Sequence, residues 1–179
     1  MENIEMKSER PAKKSSSMAT FFSTFGTILL VIVILMCLPI TVPRLFGFQI
    51  YSVISGSMEP AIPTGSLVYT KTVAPETIKS GEVIAFFSAT ESGSIITHRV
   101  VENHVVAGEF ITKGDANPEQ DMEPVGYDYL IGKVEAAIPY LGKYLSAVAT
   151  SYGKISTACL IALSIVLLAI AGVLRKGRK

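Results

Sequence analysis

Residues 82–113 read EVIAFFSATESGSIITHRVVENHVVAGEFITK, and this stretch decides the fold. The turn KSGE (79–82) leads into VIAFF, ESGS (91–94) into IITHRVV, ENH (102–104) into VV, and AGE (107–109) into FIT. Short runs of β-branched and aromatic residues divided by polar, often Gly-containing turns are the pattern of successive antiparallel strands. The pattern continues outward on both sides. Phe46, Phe48 and Ile50 alternate with Gly47, Gln49 and Tyr51 at the period of a strand, PAIPTGS (60–66) breaks it, and LVYTKTV (67–73) reads as the next strand. Gly114 to Tyr127 is polar and irregular, and YLIGKVEAAI (129–138) resumes as a strand. No helical period of useful length interrupts the series, so the expected fold is a mostly β, small antiparallel domain.

Farther out the composition changes. The chain has 179 residues, 49% of them hydrophobic, yet none is charged from Ser15 through Pro43 (29 residues) or from Ile155 through Leu174 (20 residues). A helix needs roughly 20 apolar residues, at about 1.5 Å each, to cross about 30 Å of hydrocarbon. Two membrane spans are therefore expected, at 18–42 and 155–174, with one domain of ordinary size at 43–154 between short tails at 1–17 and 175–179. A soluble cytosolic enzyme, a disordered tail and a multidomain receptor are excluded. Lys7, Arg10, Lys13 and Lys14 precede the first span, and Arg175, Lys176, Arg178 and Lys179 follow the second. Lys/Arg-rich flanks stay in the cytoplasm, so both termini are expected there and the domain outside. The middle, with 8 basic and 12 acidic residues from Arg44 to Lys154, carries no basic stripe, which argues against nucleic acid as a partner. The apolar run Ile28 to Leu38 has the length of a signal-peptide core, but no small-x-small pair follows it, so an uncleaved anchor is expected. Cys37 and Cys159 lie inside the two spans, leaving the domain neither a disulfide nor a catalytic cysteine.

Three stretches of the domain carry chemistry: SGSMEPAIPTGS (55–66), ITHRVV (96–101) and TKGDANPEQD (112–121). Singly, each reads as an ordinary turn or strand. Together they offer a serine, an imidazole that titrates near neutrality and a carboxylate to orient it, the three groups a nucleophilic serine needs. Strand alternation puts His98 on the face of Ile96 and Val100, toward apolar surroundings, whereas His104 falls in a polar turn and reads as a surface residue. Met58, Phe46, Phe48 and Ile54 read as core residues or as an apolar rim close to the membrane. Asp115, Asn117, Glu119 and Asp121 place oxygens at every second position like a calcium loop. Gln120 stands where the sharp-turn glycine belongs, however, and Gly126 where the bidentate glutamate belongs. No histidine pair has zinc spacing. No metal or cofactor is expected.

In this order, Ser-Gly-Ser-Met-x-Pro beyond an N-terminal anchor, GEVIAF, a His-Arg-Val strand and Gly-Asp-x-Asn resemble a type I signal peptidase. The resemblance, over roughly Phe46 to Pro139, is to the branch of the endoplasmic reticulum, archaea and the SipW-like enzymes of some Gram-positive bacteria. It implies Ser57 as nucleophile and His98 as general base, where the common bacterial branch has lysine. It also implies Asp121 as the acid that orients His98, with Asp115 in support. Ser55 and the Ser57 N–H would hold the oxyanion, and Met58 and Ile54 would meet the substrate. The implied substrate is a secretory preprotein, its cleavable segment lying extended beside Gln49 to Ser55, and the implied neighbours are the lipid bilayer and the protein translocation channel. One departure is that Ala116 and Pro118 stand where the family more often has polar residues. The rival expectation is a non-catalytic, membrane-anchored β module, or an inactive homologue of the peptidase.

Overall fold

A computed structural model describes residues 17–89 and 93–176. The tail residues 1–16 and 177–179, with Lys7, Arg10, Lys13, Lys14, Arg178 and Lys179 of the charge argument, lie outside the described residues, as do Glu91 and Ser92 of the ESGS turn. The chain divides into two units, one built from the apolar segments up to Leu35 and from Ser156 onward, the other from Met36–Ile155.

Helix α1 covers Ser17–Leu45 and α3 covers Ser151–Lys176, and both are long and apolar enough to cross a membrane. Inside the first unit their buried residues fall a heptad apart, Ala19, Gly26 and Val33 on one helix and Ser164 and Ala171 on the other. A Cβ on Gly26 would lie 3.2 Å from the Ser164 carbonyl oxygen. Small side chains thus let the two backbones approach, as apolar helices without a hydrophobic driving force between them require.

In the second unit α1 runs three residues beyond the expected end of the span, through two internal prolines, Pro39 and Pro43. Pro43 has no N–H to give the Pro39 carbonyl, one turn back. The Tyr69 hydroxyl donates to that carbonyl instead, at 3.0 Å. The orphaned acceptor thereby becomes a tie between helix and sheet.

The sheet has seven strands: β1 (Phe48–Ser52), β2 (Leu67–Lys71), β3 (Val83–Phe87), β4 (Ile95–His104), β5 (Glu109–Lys113), β6 (Val125–Gly126) and β7 (Leu130–Ile138). They lie in the order β1-β2-β7-β3-β4-β5-β6, every pair antiparallel. The mostly β antiparallel fold is as the alternation predicts. Three details differ. The ENH segment is not a turn, because Asn103 pairs with Phe110 and His104 with Glu109, which carries β4 through His104 and moves the turn to Val105–Gly108. Within the stretch expected to be irregular, Phe110 pairs with Val125, making the two-residue β6. A helix, α2 (Leu141–Ala149), also follows β7, too short to stand out in the sequence. It is held by tertiary contact, as short helices must be. Leu141 and Leu145 pack on Ile50, Leu67 and Tyr69, and Gly142 lies so close to the Ser66 carbonyl that a Cβ there would be 2.2 Å from its oxygen.

The core beneath β3, β4 and β5 is Ile78, Ile84, Phe86, Val100, Phe110 and Val125, and a smaller cluster joins Met58 and Ile62 to Val68. Of the four apolar residues read as core or as a rim, Met58 is buried, Phe48 is half-buried, and Phe46 and Ile54 are 70% and 87% exposed. Burial of Met58 anchors the loop that begins after Ser57.

Candidate active site

Ser57 sits in the turn between β1 and β2, in a segment where the main chain bonds to itself: Glu59 N–H donates to the Gly56 carbonyl and Ile62 N–H to the Met58 carbonyl. The turn at 114–117 clamps it from outside. Ala116 N–H donates to the Ser57 carbonyl at 2.8 Å, and a Cβ on Gly114 would stand 2.7 Å from that same oxygen, so only glycine permits the approach. Alanine at 116 is no obstacle here, because its contribution is a main-chain N–H.

His98 comes from the middle of β4, opposite Ile84 of β3. It is buried, 7% exposed, and meets the Phe86 ring edge-on with centroids 6.2 Å apart. Its Nδ1 lies 2.6 Å from Oδ2 of Asp121. The same oxygen accepts the hydroxyl of Thr112 at 2.6 Å, and the Asp121 N–H donates back to the Thr112 carbonyl. Asp121 is therefore fixed through both its main chain and its side chain to a residue with no exposure at all.

Asp115 goes elsewhere. Both its oxygens are taken by Arg99, Nε to Oδ1 at 2.8 Å and Nη2 to Oδ2 at 2.6 Å, while Nη1 of Arg99 donates to the Gly81 carbonyl. The hydrogen bonds from Arg99 hold the Asp115 carboxyl below its ordinary value, against the opposing effect of burial. His104 lies on the surface as expected, paired with Glu102 and Glu109, whose hydrogen bonds raise its pKa.

Ser57 and His98 line one cavity of about 390 Å³. Its walls are Val53 to Ser55 on one side and Ile95 to Thr97 of β4 on the other, with Met58 and Asn117 also reaching it. Among the described residues, β1, which runs into the first wall, pairs only with β2, and Ile95 to His98 pair only with β3, so β1 and the start of β4 each keep a free strand edge. A free edge is a template for an extended peptide. Ile54, 87% exposed, stands at the mouth, and the Ser55 hydroxyl lies 3.4 Å from the Ser57 hydroxyl. Among the described residues nothing accepts the Ser57 N–H. The arrangement brings a serine and an imidazole to one peptide-sized cleft, with a fixed carboxylate on the imidazole's Nδ1, and no group of described residues is suited to a metal.

Arg99, Gly114 and Asn117 stand in the quoted motifs without an expected role in the site, and the role of Thr112 was missed altogether. Thr112 had a detectable signal, since it shares the inward face of its strand with Phe110, where a hydroxyl needs a partner.

No protein-family model matches the chain. Signal peptidase I W of Bacillus subtilis is 38% identical over 89 residues, 46% of this chain and 44% of that protein. The Homo sapiens signal peptidase complex catalytic subunit SEC11C is 32% identical over 119 residues, 60% of each chain. The corresponding subunit SEC11 of Colletotrichum graminicola is 34% identical over 119 residues, 60% of this chain and 67% of that one. The matched part thus spans about half the length of the bacterial relative and about two thirds of the fungal one. With a match of this identity that covers two thirds of the fungal subunit, the chain belongs to the type I signal peptidases, in the branch of the endoplasmic reticulum and the SipW-like enzymes.

Proposed function

We propose that this chain is a membrane-anchored serine endopeptidase that cuts signal peptides from secretory preproteins. Ser57 is the nucleophile, His98 the general base and Asp121 the acid that orients it. The reading is carried by one observation: Asp121 occupies Nδ1 of His98 in a cleft that Ser57 also lines. With Nδ1–H donated to a carboxylate, Nε2 is the nitrogen free to take a proton. His98 removes the proton of Ser57 Oγ as that oxygen attacks the carbonyl carbon at the cut. The oxyanion is met by the Ser57 N–H and the Ser55 hydroxyl, each worth about 3 kcal/mol in the transition state. The imidazolium then gives its proton to the leaving amine. Water, activated by the same nitrogen, frees the acyl group from Ser57.

Asp115 acts through the loop, holding Ala116 against the Ser57 carbonyl. Ile54 and Met58 border the bound segment, which lies extended along the β1 edge from Gln49 to Ser55, where main-chain pairing accepts varied sequences. The spans at 18–42 and 155–174 hold the domain of 43–154 at the outer membrane surface, with the tails at 1–17 and 175–179 in the cytoplasm. Preproteins reach the cleft from the bilayer and the translocation channel.

The test is to incubate the full chain in detergent with a preprotein and locate the new N-terminus. A single cut after a small-x-small segment supports the reading. An intact preprotein, under conditions in which the chain stays folded, contradicts it.

A further inference from the structure

Ile96 and His98 line a second cavity as well as the one that Ser57 shares. It measures about 320 Å³, and no step of the proposed reaction uses it. Its other walls are largely apolar, with Phe87, Met122, Pro124 and Tyr129 among them. Three of these hold large side chains out to water, Phe87 at 46%, Met122 at 99% and Tyr129 at 44% exposed. Concave, mostly apolar and of ligand size, it has the character of a binding pocket. Its acids are Asp121, engaged by His98 and Thr112, and the exposed Glu123.

The His98 ring stands between the two cavities, and this position fixes what can pass. Ser57 lies on one side, with the free strand edges that suit the segment before the cut. The base that takes the Ser57 proton must deliver it to the departing amine, so the first nitrogen of the departing chain has to lie against the imidazole. From there the chain continues to the side away from Ser57, where the second cavity opens.

We propose that this cavity receives an apolar or aromatic side chain from one of the first two residues after the cut, giving the enzyme a preference on the mature side of its substrates. This rests on the reading of His98 as the base. An acidic side chain is disfavoured there, since it would meet apolar walls and Glu123.

The experiment uses the full chain and one preprotein carrying Ala, Leu, Phe or Asp at the first and, separately, the second position after the cut. At one of the two positions, kcat/KM for Phe and Leu is expected to exceed that for Asp by about tenfold or more, the usual reach of a hydrophobic pocket. Ala89 lines the cavity and is exposed, so Ala89→Trp fills the space from the solvent side. It is expected to bring the ratio of Phe to Ala substrates down to about one. Equal kcat/KM across both series, or an Ala89→Trp enzyme that keeps the wild-type ratio, overturns the role of the cavity while leaving the peptidase intact. Failure to cut any member of the series overturns the parent reading together with this one.

Discussion

Arg99 grips both carboxylate oxygens of Asp115, and the two residues join the strand of His98 to the loop of Ser57. Arg99 follows His98 on β4, and Asp115 precedes Ala116, whose N–H holds the Ser57 carbonyl. The ion pair therefore ties the strand that carries His98 to the turn that holds the Ser57 carbonyl, and in the proposed reaction it keeps base and nucleophile in register.

That role gives Asp115→Asn a double phenotype. The Asp115 carboxyl is held below its ordinary 3.8, so the pair stabilises the fold fully above about pH 4 and loses that contribution as pH falls through the lower folded value. The Arg99 side chain is 37% exposed, and solvent screening limits the pair to about 1 kcal/mol. Asp115→Asn is expected to melt a few degrees lower at pH 7, by roughly 2–4 °C, and to lose part of its processing rate. As pH falls through the lowered folded-state value of Asp115, its melting temperature should approach that of the parent, because Asp115 becomes protonated in both states. Calorimetry across pH decides: a difference that stays constant from pH 7 down through that value rules out the ion pair as its source.

Thr112→Val tests the support of Asp121. It keeps the shape of the buried side chain but removes one of the two bonds to Oδ2, leaving the carboxylate freer to turn away from His98. kcat is expected to fall about tenfold with KM little changed, while Thr112→Ser retains activity. Asp121→Asn, which favours the wrong tautomer of His98, should cost on the order of 10⁴ in kcat with the protein still folded. Steady-state kinetics of the three variants check the order of these losses.

Gly114→Ala drives a methyl group to 2.7 Å from the Ser57 carbonyl oxygen and 2.8 Å from the Asn117 carboxamide nitrogen. One of the two turns must move. If Ser57 is the nucleophile as proposed, a displacement there on the order of 1 Å costs about a hundredfold in rate, a far larger effect than the strain has on overall stability. Processing rate beside melting temperature measures the two. Near wild-type turnover would mean that the loop adjusts away from Ser57.

Much of this arrangement is legible in the sequence, and the exceptions have physical reasons. Strand alternation placed His98 inward beside Val100, and β4 indeed buries both. The same alternation gave no sign that β4 runs on through Glu102, Asn103 and His104, because those residues are polar and their pairing partners, Glu109 to Ile111, lie beyond the turn. The helix α2 escaped notice because its stability comes from Leu141 and Leu145 on the sheet and from the close seat of Gly142. Asp115 and Asp121 looked nearly equivalent in one irregular stretch. What separates them is Arg99 on one and Thr112 with His98 on the other, partners that only the paired strands β4 and β5 bring within reach.

Topology is tested by fusion. The Lys/Arg flanks predict that a reporter active only outside the cytoplasm works when joined after Lys143 and fails when joined after Lys179. Activity of the second fusion would mean that α3 does not span.

The central claim is that Ser57 performs the cut. It is tested most directly by the rate at which Ser57→Ala, purified as the full chain and matched to the wild type in melting temperature, processes one preprotein. The account predicts that the wild type yields a single new N-terminus and that Ser57→Ala yields none above the rate without enzyme. Processing by Ser57→Ala at a rate close to the wild type would contradict it.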